Sequence, residues 1–307
     1  MSKCQSWVSL SWFRVSGGGT GFIGTHLCKA LKSKGYSVTI ISRMPGPQRM
    51  TWNELNDNGL PEGTTTVINL AGQNVLDMKQ RWNAGFKQNV FNSRVNTTAS
   101  LAKAITDSDH KPAVFLTISG VGIYKPDKVK IYDESCAGEE YDFLSSLCHK
   151  WEDAAKLPDS DTRQVTIRSG VVLGKNGGMI KQLYMPFFLG LGGPVMPGDQ
   201  FLPWIHIDDI VGLMLFAIKN NKVDGTMNGV APHSVTNKQF TDAFAKAMGR
   251  PALIPVPKMV LNVLLSQERA NMLTQGQRVL PKKATNLGYQ FKYPDIVSAC
   301  HELVKKD

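Results

Sequence analysis

Apolar and polar positions along the chain follow two alternating rhythms. Short apolar runs rich in β-branched residues occur at Leu10 to Ser16, Val38-Thr39-Ile40-Ile41, Thr65-Thr66-Val67-Ile68-Asn69-Leu70-Ala71-Gly72, Ala113-Val114-Phe115-Leu116-Thr117-Ile118 and Val165 to Gly174. Their length and composition predict buried strands. Helical spacing fills the gaps: Phe22, Ile23, Leu27, Ala30 and Leu31 up to a stop at Gly35, then one helix over Phe86 to Ile105 and another over Asp142 to Ala155. Strands alternating with helices in this way imply a parallel sheet covered on both faces. Beyond Gly174 the texture becomes Gly- and Pro-rich, and Gly190-Leu191-Gly192-Gly193-Pro194 reads as a loop. Pro203 to Ile207 then predicts a short strand, followed by an Asp-capped helix from Ile210 to Ile218.

The first strand runs into Gly18-Gly19-Thr20-Gly21-Phe22-Ile23-Gly24. Glycines at this spacing allow a tight strand-to-helix turn, let bare backbone approach a pyrophosphate, and leave helix N–H groups to hold its charge. The second strand then ends in Ser42-Arg43, with no Asp or Glu between the glycines and that point. A carboxylate there would bond the ribose 2′-hydroxyl of NAD, whereas a hydroxyl and a guanidinium suit the 2′-phosphate of NADP. The expected fold class is therefore α/β, a Rossmann-like doubly wound parallel sheet with a small C-terminal α+β lobe. Residues 1–174 would form the NADP-binding domain, with 202–230 returning to it, and 175–201 with 231–307 would form the lobe over the substrate crevice. The end of the third apolar run faces that crevice, and so does a polar stripe of Asn89, Ser93, Arg94 and Thr97 on the helix after it.

With 42% apolar residues in 307, the chain can bury a full core. No apolar run is long enough to span a membrane, because Pro186, Gly190, Gly192, Gly193 and Pro194 interrupt the most apolar region. Five cysteines without a C-x-x-C pair suggest reduced thiols inside the cell and indicate no metal site. The net charge of +10 is uneven: Lys3, Arg14, Lys29, Lys32, Lys34, Arg43 and Arg49 precede the first acidic residue, Glu54. Basic and aromatic residues do not interleave as in RNA-binding modules, so the charge reads as solvated surface plus attraction for a polyanionic cofactor. The expected partners are a small-molecule substrate, with no nucleic acid and no membrane, and a homo-oligomer is compatible. A cytoplasmic location is expected. Mitochondrial import is the alternative, because Met1 to Phe13 is free of acidic residues.

Four segments together resemble the extended short-chain dehydrogenase/reductases of the NAD-dependent epimerase/dehydratase grouping. They are the glycine turn, Asn69-Leu70-Ala71-Gly72, Arg168-Ser169-Gly170-Val171-Val172-Leu173-Gly174 and Trp204-Ile205-His206-Ile207-Asp208-Asp209. The resemblance runs from about Arg14 to the C-terminus. It implies that Gly18, Thr20, Gly21, Phe22, Ile23 and Gly24 hold the pyrophosphate and that Ser42 and Arg43 hold the adenosine 2′-phosphate. It also places Leu70, Ala71 and Gly72 along the adenosine ribose, Arg94 on a phosphate with Asn89 nearby, and Val171 or Val172 near the nicotinamide.

The same resemblance implies a Tyr-x-x-x-Lys pair on one helix, where the ammonium lowers the phenol pKa for proton exchange with the substrate oxygen. Here Phe143 stands where tyrosine is expected and Leu147 where lysine is expected. The one literal match, Tyr124 to Lys128, contains Pro126, which is incompatible with an unbroken helix. Ser119 and Tyr124 are the remaining catalytic candidates, with Tyr141, Cys148 and His149 as further sources of a proton. His206 reads as a positioned structural residue. The expected function is an NADP-dependent oxidoreductase with an atypical active site, and the alternative is a catalytically silent NADP(H)-binding sensor.

Overall fold

In the computed structural model, which describes residues 12–15, 18–77, 79–158 and 160–305, seven parallel strands carry the apolar runs. From one edge of the sheet the order is Gly225–Gly229, Arg163–Ser169, Val114–Gly120, Thr64–Asn69, Trp12–Val15, Ser37–Ser42 and Arg49–Thr51. The chain builds outward from Trp12–Val15 in one direction, then crosses to Thr64–Asn69 and builds in the other. Such a reversal opens a crevice at the carboxyl ends of the two central strands, where doubly wound sheets bind ligands.

Side chains alternate between the two sheet faces, as the pleat requires. Ile68, Val114, Leu116 and Ile167 join Leu27 and Leu31 of the helix Phe22–Ser33 and Leu213 and Met214 of the helix Ile207–Lys219 in one core layer. Val67 and Phe115 point the other way, onto Leu101 and Ile105 of the helix Val95–Asp107, together with Ile41 and Leu55. A third cluster builds the lobe: Ile180 and Phe187 from the helix Gly178–Phe188, Phe240 and Phe244 from Asn237–Met248, and Ala299, Cys300 and Leu303 from Ile296–Val304. The C-terminal segment does not stay within that lobe. Gln277–Val279 pairs with Asp127–Tyr132, and Ala284, Leu287, Tyr289 and Phe291 pack on the sheet's own core.

Several sequence expectations change. The helix expected over Phe86 to Ile105 is two helices, Ala84–Asn92 and Val95–Asp107, broken at Ser93 and Arg94. The hydroxyls of Ser93, Thr97 and Thr98 donate to the carbonyls of Val90, Ser93 and Arg94, respectively, and such side-chain bonds compete with the backbone ladder. The strand expected over Val165 to Gly174 also divides: after Gly170, Val171–Gly174 leaves the sheet and pairs with Trp204–His206. The helix after that pair begins at Ile207 and is capped by His206, whose Nδ1 accepts the Asp208 N–H, rather than by an aspartate. Arg49–Thr51 and the helix Gly178–Phe188 were not anticipated, the first for its brevity and the second because of Pro186. The four cysteines among the described residues, Cys28, Cys136, Cys148 and Cys300, are free thiols.

Candidate cofactor and active site

The glycine turn is tight because its neighbours leave no space for side chains. A Cβ on Gly18 would lie 2.0 Å from the Leu70 carbonyl oxygen, and one on Gly24 would lie 2.0 Å from the Gly18 oxygen. Real Cβ atoms do not approach so closely, so both positions require glycine. The Gly21 N–H donates to Gly18 at 2.9 Å and Gly21 caps the helix Phe22–Ser33, whose first turn carries no acidic residue. That helix start is therefore electropositive and uncontested by a carboxylate. Thr20 and Gly21 are exposed there, while Ile23 packs on the core. The Phe22 ring fills a notch across the Val171–Gly174 turn, where a Cβ on Gly174 or Gly177 would meet it at 2.7 or 2.2 Å.

Across the crevice, Asn69 fixes the end of its strand. It is fully buried, accepts the Ala71 N–H at 2.9 Å and donates to Thr98 Oγ1 at 2.6 Å, so the Leu70-Ala71-Gly72 backbone is held by a side chain from within the core. The Arg94 guanidinium lies against Gly72, 3.0 Å from where a Cβ would stand, and 5.1 Å from the centre of the Trp151 ring. It donates to the Val90 carbonyl at 3.2 Å and makes no ion pair with a carboxylate among the described residues. Burial lowers its pKa to about 10, so it remains a cation at neutral pH. A partly buried cation without a counter-charge, beside exposed backbone, is suited to an incoming anion. Asn89 is exposed on the preceding helix, one turn away from Ser93.

At the end of Ser37–Ser42 the two predicted residues differ. The Ser42 hydroxyl is buried and closes its own turn, donating to the Met44 carbonyl and accepting the Met44 N–H at 3.3 Å. Its first role is to shape the loop. Arg43 is exposed, and the exposed Arg49 returns beside the same loop with its stem against Gly46. Its place there follows from the strand pairing of Arg49 with Ile40, a contact that sequence spacing does not reveal. Val171 and Val172, both half-buried, lie just beyond the carboxyl end of Arg163–Ser169.

On the side where acid–base chemistry is expected, the polar groups are engaged or enclosed. Tyr124 is completely buried. Its hydroxyl donates toward Asn228 Oδ1 at 3.0 Å and the Asp133 carbonyl at 3.2 Å, and it accepts from Arg168 at 2.9 Å. Arg168 is itself held by both Glu152 oxygens at 2.8 Å. Burial raises the Tyr124 pKa despite that guanidinium, so the phenol stays protonated, with its hydroxyl engaged by protein groups. Lys128, the other half of the literal match, lies on the strand Asp127–Tyr132 and pairs with Asp199 at 2.6 Å. The Tyr141 hydroxyl is bonded to the Gly122 carbonyl at 3.2 Å. His206 is buried, with Nε2 2.9 Å from Glu302.

The helix Phe143–Asp153 presents a face shifted by one residue from the expected pair. Phe143 and Leu147 turn toward Trp82, Phe86 and Val90, and Phe143 stacks edge-on to Trp82 with centroids 5.6 Å apart. Leu144 and Cys148 are the positions against the end of Val114–Gly120. A Cβ on Gly122 would lie 3.8 Å from Leu144 Cβ, and one on Gly120 would lie 3.4 Å from Cys148 Sγ. The helix is entered from extended backbone and begins where the Asp142 side chain accepts the Ser145 N–H. Burial pushes the Cys148 thiol up to about 11, so it is protonated at neutral pH. Ser119 is buried at the end of the strand, and its hydroxyl faces this thiol, close enough for a hydrogen bond that offsets part of the burial effect on Cys148.

The chain is similar to known proteins along most of its length. The NAD dependent epimerase/dehydratase family model matches residues 17–228, and Domain of unknown function (DUF1731) matches residues 256–303. The chain is 49% identical over 289 residues to Epimerase family protein SDR39U1 of Mus musculus, covering 94% of this chain and 98% of that protein. It is 34% identical to Epimerase family protein YfhF of Bacillus subtilis, covering 94% and 96%, respectively. The crystal structure of human epimerase family protein SDR39U1 (isoform2) with NADPH superimposes with a TM-score of 0.93 at 46% identity, over 95% of this chain and 98% of that one.

Proposed function

Because the chain belongs to the NAD dependent epimerase/dehydratase family, we propose that it binds NADP(H) and acts as an oxidoreductase of the short-chain dehydrogenase/reductase type without a tyrosine–lysine pair. The observation that carries the cofactor reading is the pairing of a steric glycine cradle, Gly18 and Gly24, with Arg94, a cation lacking a carboxylate partner across the same crevice. The relative solved with NADPH supports the choice of nucleotide. In this reading the helix N-terminus and Arg94 hold the phosphates of the dinucleotide, and Arg43 with Arg49 faces the 2′-phosphate.

NADPH, when bound, supplies a hydride. The Ser119 hydroxyl, beside the Cys148 thiol, would donate a hydrogen bond to the oxygen of a small carbonyl substrate, and the alkoxide left by hydride addition would take its proton from solvent. Leu144 and Cys148 would wall the reacting centre on the helix side. Thermal shift with NADP(H) and NAD(H) tests the cofactor: a clearly larger shift with NADP(H) is expected, and equal shifts would refute the reading.

A second reading is favoured by the engaged Tyr124 hydroxyl and by an apolar residue and a neutral thiol on the helix face. The protein would then bind NADP(H) without turnover and report the redox state. Consumption of NADPH over a panel of aldehydes and ketones separates the two. Substrate-dependent turnover, lost in Ser119→Ala with cofactor binding intact, supports the oxidoreductase; a cofactor-dependent thermal shift with no turnover supports the sensor.

A further inference from the structure

The lobe carries an apolar surface that none of these roles uses. The helix Lys258–Leu265 buries Leu261 and Leu265 against Val195 and Val256 but leaves Met259, Val263 and Leu264 77%, 84% and 67% exposed. Leu253, just before it, is 81% exposed. Two backbone bonds, from Ile254 to Gly192 at 3.2 Å and from Val256 to Pro194 at 2.9 Å, bring the exposed Leu189 and Leu191 alongside. Arg250 ties the two segments together, donating to the Phe188 carbonyl at 2.9 Å and lying 5.2 Å from the Phe188 ring centre. Exposed apolar side chains grouped across adjoining segments mark an interaction surface.

Charge identifies the partner. Residues 175–198 and 243–267 contain no Asp or Glu, and their bases are Lys175, Lys181, Lys246, Arg250 and Lys258. Lys175 lies 3.5 Å from Glu302. The other four are exposed and form no ion pair among the described residues. A second copy docked face to face would set these cations against one another, which disfavours self-association. The nearest carboxylates along the chain, Asp199, Asp242 and Glu268, are each paired with a lysine, and aliphatic side chains flanked by unpaired cations match a lipid surface bearing anionic headgroups. No helix among the described residues is long and apolar enough to cross a membrane, and surface binding requires none.

We propose that this lobe face rests on an anionic lipid bilayer, with Met259, Val263, Leu264 and Leu253 entering the headgroup boundary and Lys181, Arg250 and Lys258 facing lipid phosphates. The sequence had suggested no membrane association, because no run could span; an interfacial patch assembled from separate segments leaves no such run.

Sedimentation of the full chain, saturated with NADPH, with phosphatidylcholine vesicles containing or lacking phosphatidylglycerol tests the proposal. Binding to the anionic vesicles, weak binding to the neutral ones and weakening by added salt are expected. Lys258→Ala should lower the partition coefficient about fivefold, and Val263→Glu with Leu264→Glu should abolish partitioning while leaving the NADPH-induced thermal shift unchanged. Absence of vesicle binding would overturn the proposal, as would equal binding to both vesicle types or anionic binding undiminished in the Val263→Glu, Leu264→Glu variant. A concentration-dependent dimer lost in that variant, without vesicle binding, would assign the face to a second copy instead.

Discussion

Arg94 and Arg168 both lie against the helix Phe143–Asp153, the first beside Trp151 and the second paired with Glu152, and contrast in how the fold treats a partly buried cation. Arg168 is held by both Glu152 oxygens and by the Tyr124 hydroxyl, so its charge is matched and its donors are used. Arg94 has backbone and hydroxyl neighbours but no carboxylate. Leaving a desolvated charge unmatched costs stability unless something else supplies the counter-charge. In the proposed reading an anionic ligand completes the surroundings of Arg94, whereas Arg168 is satisfied within the protein. One guanidinium is left open to a ligand, while the other is consumed together with the phenol beside it.

The largest expected effect is at the turn facing Arg94. Gly18→Ala drives a Cβ into the Leu70 carbonyl, and displacing backbone there should cost about 3 kcal/mol and abolish saturable NADPH binding, as read by cofactor fluorescence. Retained affinity would mean that the turn does not form the binding surface. Arg94→Met should weaken NADP(H) binding by about 2 kcal/mol while leaving the unliganded melting temperature unchanged or raised. A fall in the unliganded melting temperature instead would place Arg94 with Arg168 as an internal structural cation and dissolve the contrast.

Arg43→Asp should reduce NADP affinity about tenfold more than NAD affinity, because a carboxylate repels the 2′-phosphate and accepts from a 2′-hydroxyl. Equal effects on both nucleotides would remove Arg43 from the phosphate site. Beside Arg168, Tyr124→Phe should lower stability by about 1 kcal/mol and leave any turnover intact, since its hydroxyl serves Arg168 and Asn228. Loss of turnover with unchanged stability would restore Tyr124 as a catalytic residue.

The smallest effect concerns pH. Burial raises the Cys148 pKa from 9.0 to about 11, so the folded state favours the neutral thiol. Its contribution to stability is complete below pH 9, the unfolded value, and is lost as pH rises through about 11. The wild type should therefore lose stability over this window more steeply than Cys148→Ala. Parallel pH profiles of the two proteins would show that the thiol is not enclosed beside Ser119.

Much around the glycine turn was legible in the chain. The glycine spacing, the missing acidic residue before Arg43 and the strand rhythm are local properties, fixed by backbone sterics and by apolar periodicity within a few residues. The break at Arg94, the phase of Leu144 and Cys148, and the consumption of Tyr124 were not. The break itself comes from hydroxyls bonding carbonyls three and four residues back, but the rest depends on partners far away in sequence: Trp151 beside Arg94, Gly120 and Gly122 against the helix Phe143–Asp153, and Asn228 and Arg168 at the phenol. The sequence by itself determined a dinucleotide-type turn and the charge beside it, because those follow from which residues are adjacent. Tertiary structure alone decided which hydroxyls and guanidinium groups remain free to meet a ligand, because a hydrogen bond or counter-charge is satisfied by whichever group packing brings within about 3 Å.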